Sequence, residues 1–248
     1  MKLLWSVAVK IAAFALLAYC GIRVIFDSNV VLAVIAGFIM VISCPLSAIL
    51  HELGHMLFGA TVKIKAIPDK NFFKDTFLNW WDSSSVKIIP QTEKGLRGRI
   101  IFTTLGGLVI NLVFIILGIV ALCVPSVPTA LCALLPASFH LLALNALPVS
   151  YDSGKSDGEI ISELIKNGDE AKVMLAVLAV QAQILGGKKI EEIDEKQLFS
   201  LPQISEDNES FISLCELRSE YFTAKGDSEN AEKWRTRFEQ LKTEYLQN

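Results

Sequence analysis

The sequence predicts an all-α membrane protein: about four transmembrane helices, a small interfacial β-hairpin-like loop and a helical C-terminal soluble domain. Three observations predict it. Apolar residues make up 52% of the 248, against 20% charged, and the mean hydropathy is +0.46. Several apolar runs approach the roughly 20 residues a helix needs to cross a hydrocarbon core of about 30 Å. Charge is also divided along the chain. Residues 1–149 hold 11 Lys+Arg against 6 Asp+Glu, a net of +5, while residues 150–248 hold 12 against 20, a net of −8. The expected domains are a transmembrane core over 1–160 and an acidic helical cytoplasmic domain over 161–248. This composition excludes a disordered polymer and a disulfide scaffold. No dense basic patch suggests nucleic acid as a partner.

The first span runs over about residues 3–26, where Lys10 and Arg23 are long enough to snorkel. Leu17-Ala18-Tyr19-Cys20 has the outline of a lipoprotein cleavage box, but Tyr19 is bulky and the apolar run continues through Phe26, so an uncleaved span is expected. The second covers about 29–60, with Pro45 as a kink. Between Asp27 and Lys63 its acidic or basic residues are His51, Glu52 and His55. Two further spans, near 100–123 and 128–148, are separated by Val124-Pro-Ser-Val-Pro128. With four spans, the N-terminus, the loop 61–99 and the tail share one side. That loop carries eight Lys+Arg, which places all three in the cytoplasm and the chain in the plasma membrane as a multi-pass protein.

Within the loop, residues 62–67 alternate as a strand and 86–89 supply a partner. Phe72, Phe73, Phe77, Trp80 and Trp81 between them suit the lipid interface. In the tail, Asp169 is expected to cap a helix ending at Gly186-Gly187, whose apolar centre (Val173 to Val180) is too short to span. Residues 206–224 and 228–246 form a helical hairpin. Tyr221, Gly226-Asp227 and Ala231 resemble one tetratricopeptide unit, a surface for a protein partner. None of the five cysteines forms a CxxC pair; they read as small buried apolar residues.

The chemistry concentrates in His51-Glu52-Leu53-Gly54-His55. Residues i and i+4 share a helix face, so both imidazoles can reach one metal ion, with Glu52 beside them to take a proton from water. A glutamate between two histidines in an otherwise uncharged span costs several kcal/mol unless something compensates, as a zinc ion would. Catalytic zinc usually takes three protein ligands. The third candidates are His140, Asp152 and Asp157. Counting about 1.5 Å per residue from Val30, His51 lies roughly 31 Å along its span, near the cytoplasmic edge. Asp152 and Asp157 follow the end of the fourth span at that depth, whereas His140 sits deeper, where a histidine bonded between helices is the simpler reading.

These residues resemble the site-2 protease family of intramembrane zinc metalloproteases, over about residues 29–160. The resemblance rests on HELGH at 51–55, on Gly106-Gly107-Leu-Val-Ile-Asn111, and on Asn145-Ala-Leu-Pro148 followed by Asp157-Gly158. The family usually places its aspartate eight residues after the asparagine; here position 153 is Ser. Of the two nearby aspartates, Asp157 is followed by glycine and by the start of a helix, and is preferred to Asp152. The resemblance implies that His51, His55 and Asp157 bind Zn2+, that Glu52 is the general base, and that Asn145 orients the site or holds the oxyanion. It implies an endopeptidase cutting a membrane-spanning or membrane-associated protein or peptide near the cytoplasmic face. The competing expectation is an anchor or scaffold that recruits partners through its helical tail and keeps a non-catalytic metal site. A transporter using intramembrane His and Glu is less favoured, because no inverted repeat is visible.

Overall fold

The structure, a computed structural model, describes residues 2–27, 30–68, 87–151 and 154–247. Helix α1 (Lys2–Asp27) and helix α2 (Val30–Thr61, with Pro45 inside) form where the apolar runs predict them. Strands β1 (Ile64–Ile67) and β2 (Lys87–Pro90) pair in a two-stranded sheet. The Gln91 N–H donates to the Lys63 carbonyl at 3.1 Å, tying the end of β2 to the start of β1. The expected aromatic cluster at 72–81 lies outside the described residues. Helix α3 (Leu96–Cys123) follows.

Three described helices are long and apolar enough to cross a membrane: Leu3–Phe26, Met40–Thr61 and Leu96–Cys123. Leu3, Leu4, Ile11, Phe14, Ile25 and Phe26 on α1 stay exposed, as do Leu112, Val113 and Ile116 on α3. Apolar surface of that extent on a helix is compatible with contact to lipid tails. The stretch expected as a fourth span is divided differently. It opens with a 3-10 turn (Thr129–Ala133), in which Pro128 precedes the first residue, and continues as helix α4 (Leu134–Asn145). Polar side chains join the apolar helices: Ser43 Oγ donates to the Ala133 carbonyl at 2.9 Å, and Ser47 Oγ meets Ser138 Oγ at 3.4 Å. Cys20, Val24, Met40, Cys132, Ala133 and Leu135 pack into one buried cluster.

After α4 the chain makes a short antiparallel hairpin, β3 (Ser150–Tyr151) with β4 (Gly154–Lys155), Ser150 opposite Lys155 and Tyr151 opposite Gly154. Helix α5 (Asp157–Lys166) begins directly afterwards. The described residues group into two compact units, one drawn from 1–62, 66–87 and 101–162, the other from 63–65, 88–100 and 163–248.

The second unit is built around helix α6 (Asp169–Leu185). Its N-cap is Gly168, one residue before the expected Asp169, which is instead the first helical residue and pairs with Lys172 at 2.7 Å. Val173, Val177 and Val180 are buried against Ile193, Leu198, Leu214, Leu217 and Tyr221. The apolar centre of α6 thus lies in a protein core. Helix α7 (Glu195–Phe199) is capped by Asp194, whose carboxylate accepts from the Lys196 N–H at 3.0 Å. Helices α8 (Glu209–Lys225) and α9 (Ser228–Gln247) form the expected hairpin. Gly226 takes φ 77° at the turn, a left-handed conformation open to glycine at little cost. Arg218 ties the unit together: its guanidinium lies 4.5 Å from the Trp234 ring centre and 5.3 Å from that of Phe199, while Nε donates to the Leu198 carbonyl at 2.8 Å.

Cys215, on α8, is 0% exposed. Burial pushes its thiol up to about 11, against the lowering effect of Arg218 and Arg237. The nucleophilic thiolate is therefore scarce at pH 8 and shielded as well. Maleimide at pH 8 is expected to leave Cys215 unmodified in the folded protein and to label it fully in denaturant, read by peptide mass mapping. Rapid labelling of the folded protein would contradict this packing.

Candidate metal centre

His51, Glu52 and His55 lie on α2 and are 3%, 4% and 6% exposed. One donor atom from each lies within 4.8 Å of the others, so the three form a buried group that can hold a metal ion. The helical spacing of four puts the two rings on one face, edge to face, with centroids 4.8 Å apart.

Asp157 comes to the same place from the start of α5. Its Oδ2 is 3.2 Å from His51 Nε2, its Oδ1 is 3.5 Å from His55 Nε2, and the two Nε2 atoms are 3.2 Å apart. Four donors held tetrahedrally about 2.0–2.1 Å from an ion are separated by roughly 3.3–3.4 Å. The separation of the two Nε2 atoms fits one edge of such a site, and each lies close to that distance from one oxygen of the Asp157 carboxylate. The donor chemistry fits as well. His55 Nδ1 faces the Thr103 carbonyl at 3.1 Å. The Gly107 N–H lies farther from Nδ1, at 3.4 Å; with the proton on Nδ1 toward the nearer carbonyl, the neutral ring would present a bare Nε2. Asp157 Oδ2 is buried with His51 Nε2 as its neighbour at 3.2 Å, an arrangement that a cation between the two would also satisfy.

The loop before α5 explains how Asp157 arrives. The β3–β4 hairpin takes up the residues by which this sequence exceeds the usual spacing and returns the chain to its starting point, the Ser156 N–H donating to the Val149 carbonyl at 3.1 Å. Ser156 Oγ donates to the Leu147 carbonyl at 2.5 Å and accepts from the N–H groups of Val149 and Glu159, each at 3.2 Å. It therefore caps α5, with Asp157 as the first helical residue. A Cβ on Gly158 would sit 2.2 Å from the Ala146 carbonyl oxygen, so glycine after Asp157 is a steric requirement of this turn. Position 152, the alternative aspartate, lies outside the described residues.

Asn145 is buried at the end of α4, next to the Ala146 carbonyl against which Gly158 packs. His140 is also buried, but it lines a separate apolar cavity of about 80 Å³ with Ala13, Phe14, Leu17, Cys44, Pro136 and Ala137.

Helix α3 forms another wall. A Cβ on Gly54 would lie 2.5 Å from the Gly106 carbonyl oxygen, and one on Gly106 would lie 2.3 Å from that of Gly54, so backbone meets backbone there. Gly107 does something the sequence reading missed. A Cβ there would lie 2.6 Å from both His51 Cε1 and His55 Nε2. Its missing side chain leaves room for the two rings and for what they hold. Thr103, Gly107 and Asn111 follow at intervals of four, a stripe on one face of α3, and that spacing was the available signal. Gly107→Ala is expected to displace His55 and to lower metal affinity by at least the roughly 10–100-fold typical of changes around a metal's ligands. Gly98→Ala, on the same helix with open space around it, serves as control. Chelator competition measures both, and equal affinities would refute the role given to Gly107.

No family model, curated protein or solved structure matches the chain.

Proposed function

We propose that this protein is an intramembrane zinc endopeptidase of the site-2 protease kind, hydrolysing a peptide bond of a membrane-spanning or membrane-associated protein or peptide. The observation that carries the proposal is the convergence of His51 Nε2, His55 Nε2 and the Asp157 carboxylate at separations of 3.2 to 3.5 Å, with Glu52 buried beside them on an apolar helix.

His51, His55 and Asp157 hold the zinc. Bound there, zinc supplies Lewis acidity, polarising the scissile carbonyl and lowering the pKa of water. Glu52 takes a proton from the water that attacks the carbonyl carbon and returns it to the amine nitrogen as the C–N bond breaks. Asn145 donates its amide N–H to the oxyanion that develops. A purely structural site has no use for an unligated glutamate at position 52. In the topology that accompanies this reading, Thr129–Asn145 completes a fourth crossing. The N-terminus, the loop 61–99 and the tail are then cytoplasmic, and the cluster lies near that face. The helical tail is a surface for a protein partner.

The test is metal analysis of the purified protein, paired with membrane proteomics comparing wild type with Glu52→Gln. Zinc at the site, together with substrates that accumulate uncut in the variant, is the expected result. A chain without zinc, or two identical proteomes, would overturn the proposal.

A further inference from the structure

Two of the five cysteines meet each other. Cys20 on α1 and Cys132 in the 3-10 turn before α4 are each 0% exposed and belong to one buried cluster. They stand 112 residues apart in sequence, yet Cys132 Sγ lies 3.9 Å from the Cys20 carbonyl oxygen. The two thiols are also close enough to share a hydrogen bond. A thiol is a weak donor, so neither contact does much to hold α1 against the turn. A disulfide needs two cysteines that approach closely with their side chains turned toward each other, and this pair meets that need. Place along the helices matters as well. Cys20 comes shortly before Asp27, where α1 ends, and Cys132 shortly after Pro128. The metal cluster lies toward the far end of α2, which starts at Val30. In the topology proposed above, the cysteine pair is therefore on the exterior side, where disulfides form and persist.

We propose that Cys20 and Cys132 are joined by a disulfide in the mature protein, a single covalent staple between α1 and the turn that opens α4. The inference rests on the topology above and is independent of the zinc reading. The oxidant is the disulfide of an exterior thiol oxidase. The thiolate of one cysteine attacks that disulfide, forms a mixed disulfide and releases one oxidase sulfur as a thiol; the second cysteine then displaces the other. Cys20 and Cys132 together give up two protons and two electrons, and the oxidase disulfide becomes a dithiol. Both sulfurs are buried in the folded protein, so the exchange takes place before α1 closes on the turn, and the finished bond is shielded from reductants. A cross-link between residues 112 apart removes much of the freedom of the unfolded chain, which is how such a bond stabilises a fold.

The full-length protein is produced in cells with an active exterior thiol oxidase and in matched cells that lack it. Acid quenching freezes the thiols, denaturation exposes them, and N-ethylmaleimide blocks the free ones before digestion and peptide mass mapping. With the oxidase, most of the protein is expected to yield a linked peptide pair containing Cys20 and Cys132, while Cys44, Cys123 and Cys215 carry maleimide. Without it, Cys20 and Cys132 should carry maleimide too. Free Cys20 and Cys132 in the cells that have the oxidase would overturn the proposal. So would an equal yield of the linked pair in cells that lack it, because the bond would then come from air during handling. Thermal unfolding in detergent reads the staple itself. Wild type from the cells without oxidase should unfold about 5–15 °C lower than wild type from the cells with it. A Cys20→Ala, Cys132→Ala double variant should unfold alike from both. Equal unfolding of the two wild-type preparations would refute the stapling role. Should the double variant fail to fold, the wild-type peptide map and the two wild-type melts decide alone. Zinc content of the same preparations separates the two proposals: a linked pair in a chain without zinc upholds the disulfide and sinks the protease reading.

Discussion

Glu52→Gln is expected to abolish proteolysis while leaving the folded, zinc-loaded protein intact. The glutamine side chain matches the glutamate in size and fills the same buried position on α2, where Glu52 is 4% exposed. It still hydrogen-bonds, but it has no carboxylate to receive a proton. General-base assistance is typically worth about 10² to 10⁴ in rate, so cleavage should fall by at least that order. Zinc content should hold, because the ring nitrogens and the aspartate that meet one another at 3.2 to 3.5 Å are untouched. Zinc, membrane yield and cleavage measured on one preparation give the answer. Loss of cleavage with zinc retained supports the protease. Unchanged function with glutamine at 52 would defeat it and favour an anchor acting through its helical tail.

Removing a ligand has the opposite signature. His51→Ala or His55→Ala should take zinc from about one per chain to near zero, since two protein donors do not make the three usual at a catalytic site. Asp157→Ala should weaken binding strongly. It removes the donor that faces both rings and leaves Ser156, which caps α5, in place. Asp152→Ala should have little effect on zinc. Elemental analysis of the four variants, with thermal unfolding as the control for folding, checks the set. Full zinc in a His51→Ala, His55→Ala double variant would discard the assignment. Greater damage from Asp152 than from Asp157 would make Asp152 the third ligand.

The sequence by itself determined what depends on short range. The apolar lengths place α1, α2 and α3, because a helix satisfies its own backbone wherever water is absent. The i, i+4 spacing of His51 and His55 puts both rings on one face whatever surrounds them. Gly226 ends α8 where a left-handed residue is needed. Even the acidic, helical character of the tail follows from composition and periodicity.

Tertiary structure decided the rest. The pairing of His51 with Asn111 spans 60 residues and that of His55 with Thr103 spans 48; both come from the packing of α2 on α3, which no local pattern encodes. Asp157 reaches the rings because the hairpin of 150–155 closes on itself and Gly158 lets the turn press on Ala146. From spacing alone, with Asp152 one residue short of the usual position and Asp157 four beyond it, two aspartates stayed in contention. The stretch expected as one long span became a 3-10 turn and a twelve-residue helix, since hydropathy measures how apolar a segment is and not how its backbone starts. Gly107 shows the limit most directly. In sequence it is a small residue beside another small residue; in the fold it is the missing side chain whose space both imidazoles border. Periodicity fixes which face of a helix a residue occupies, and only the packed neighbour decides what that face meets.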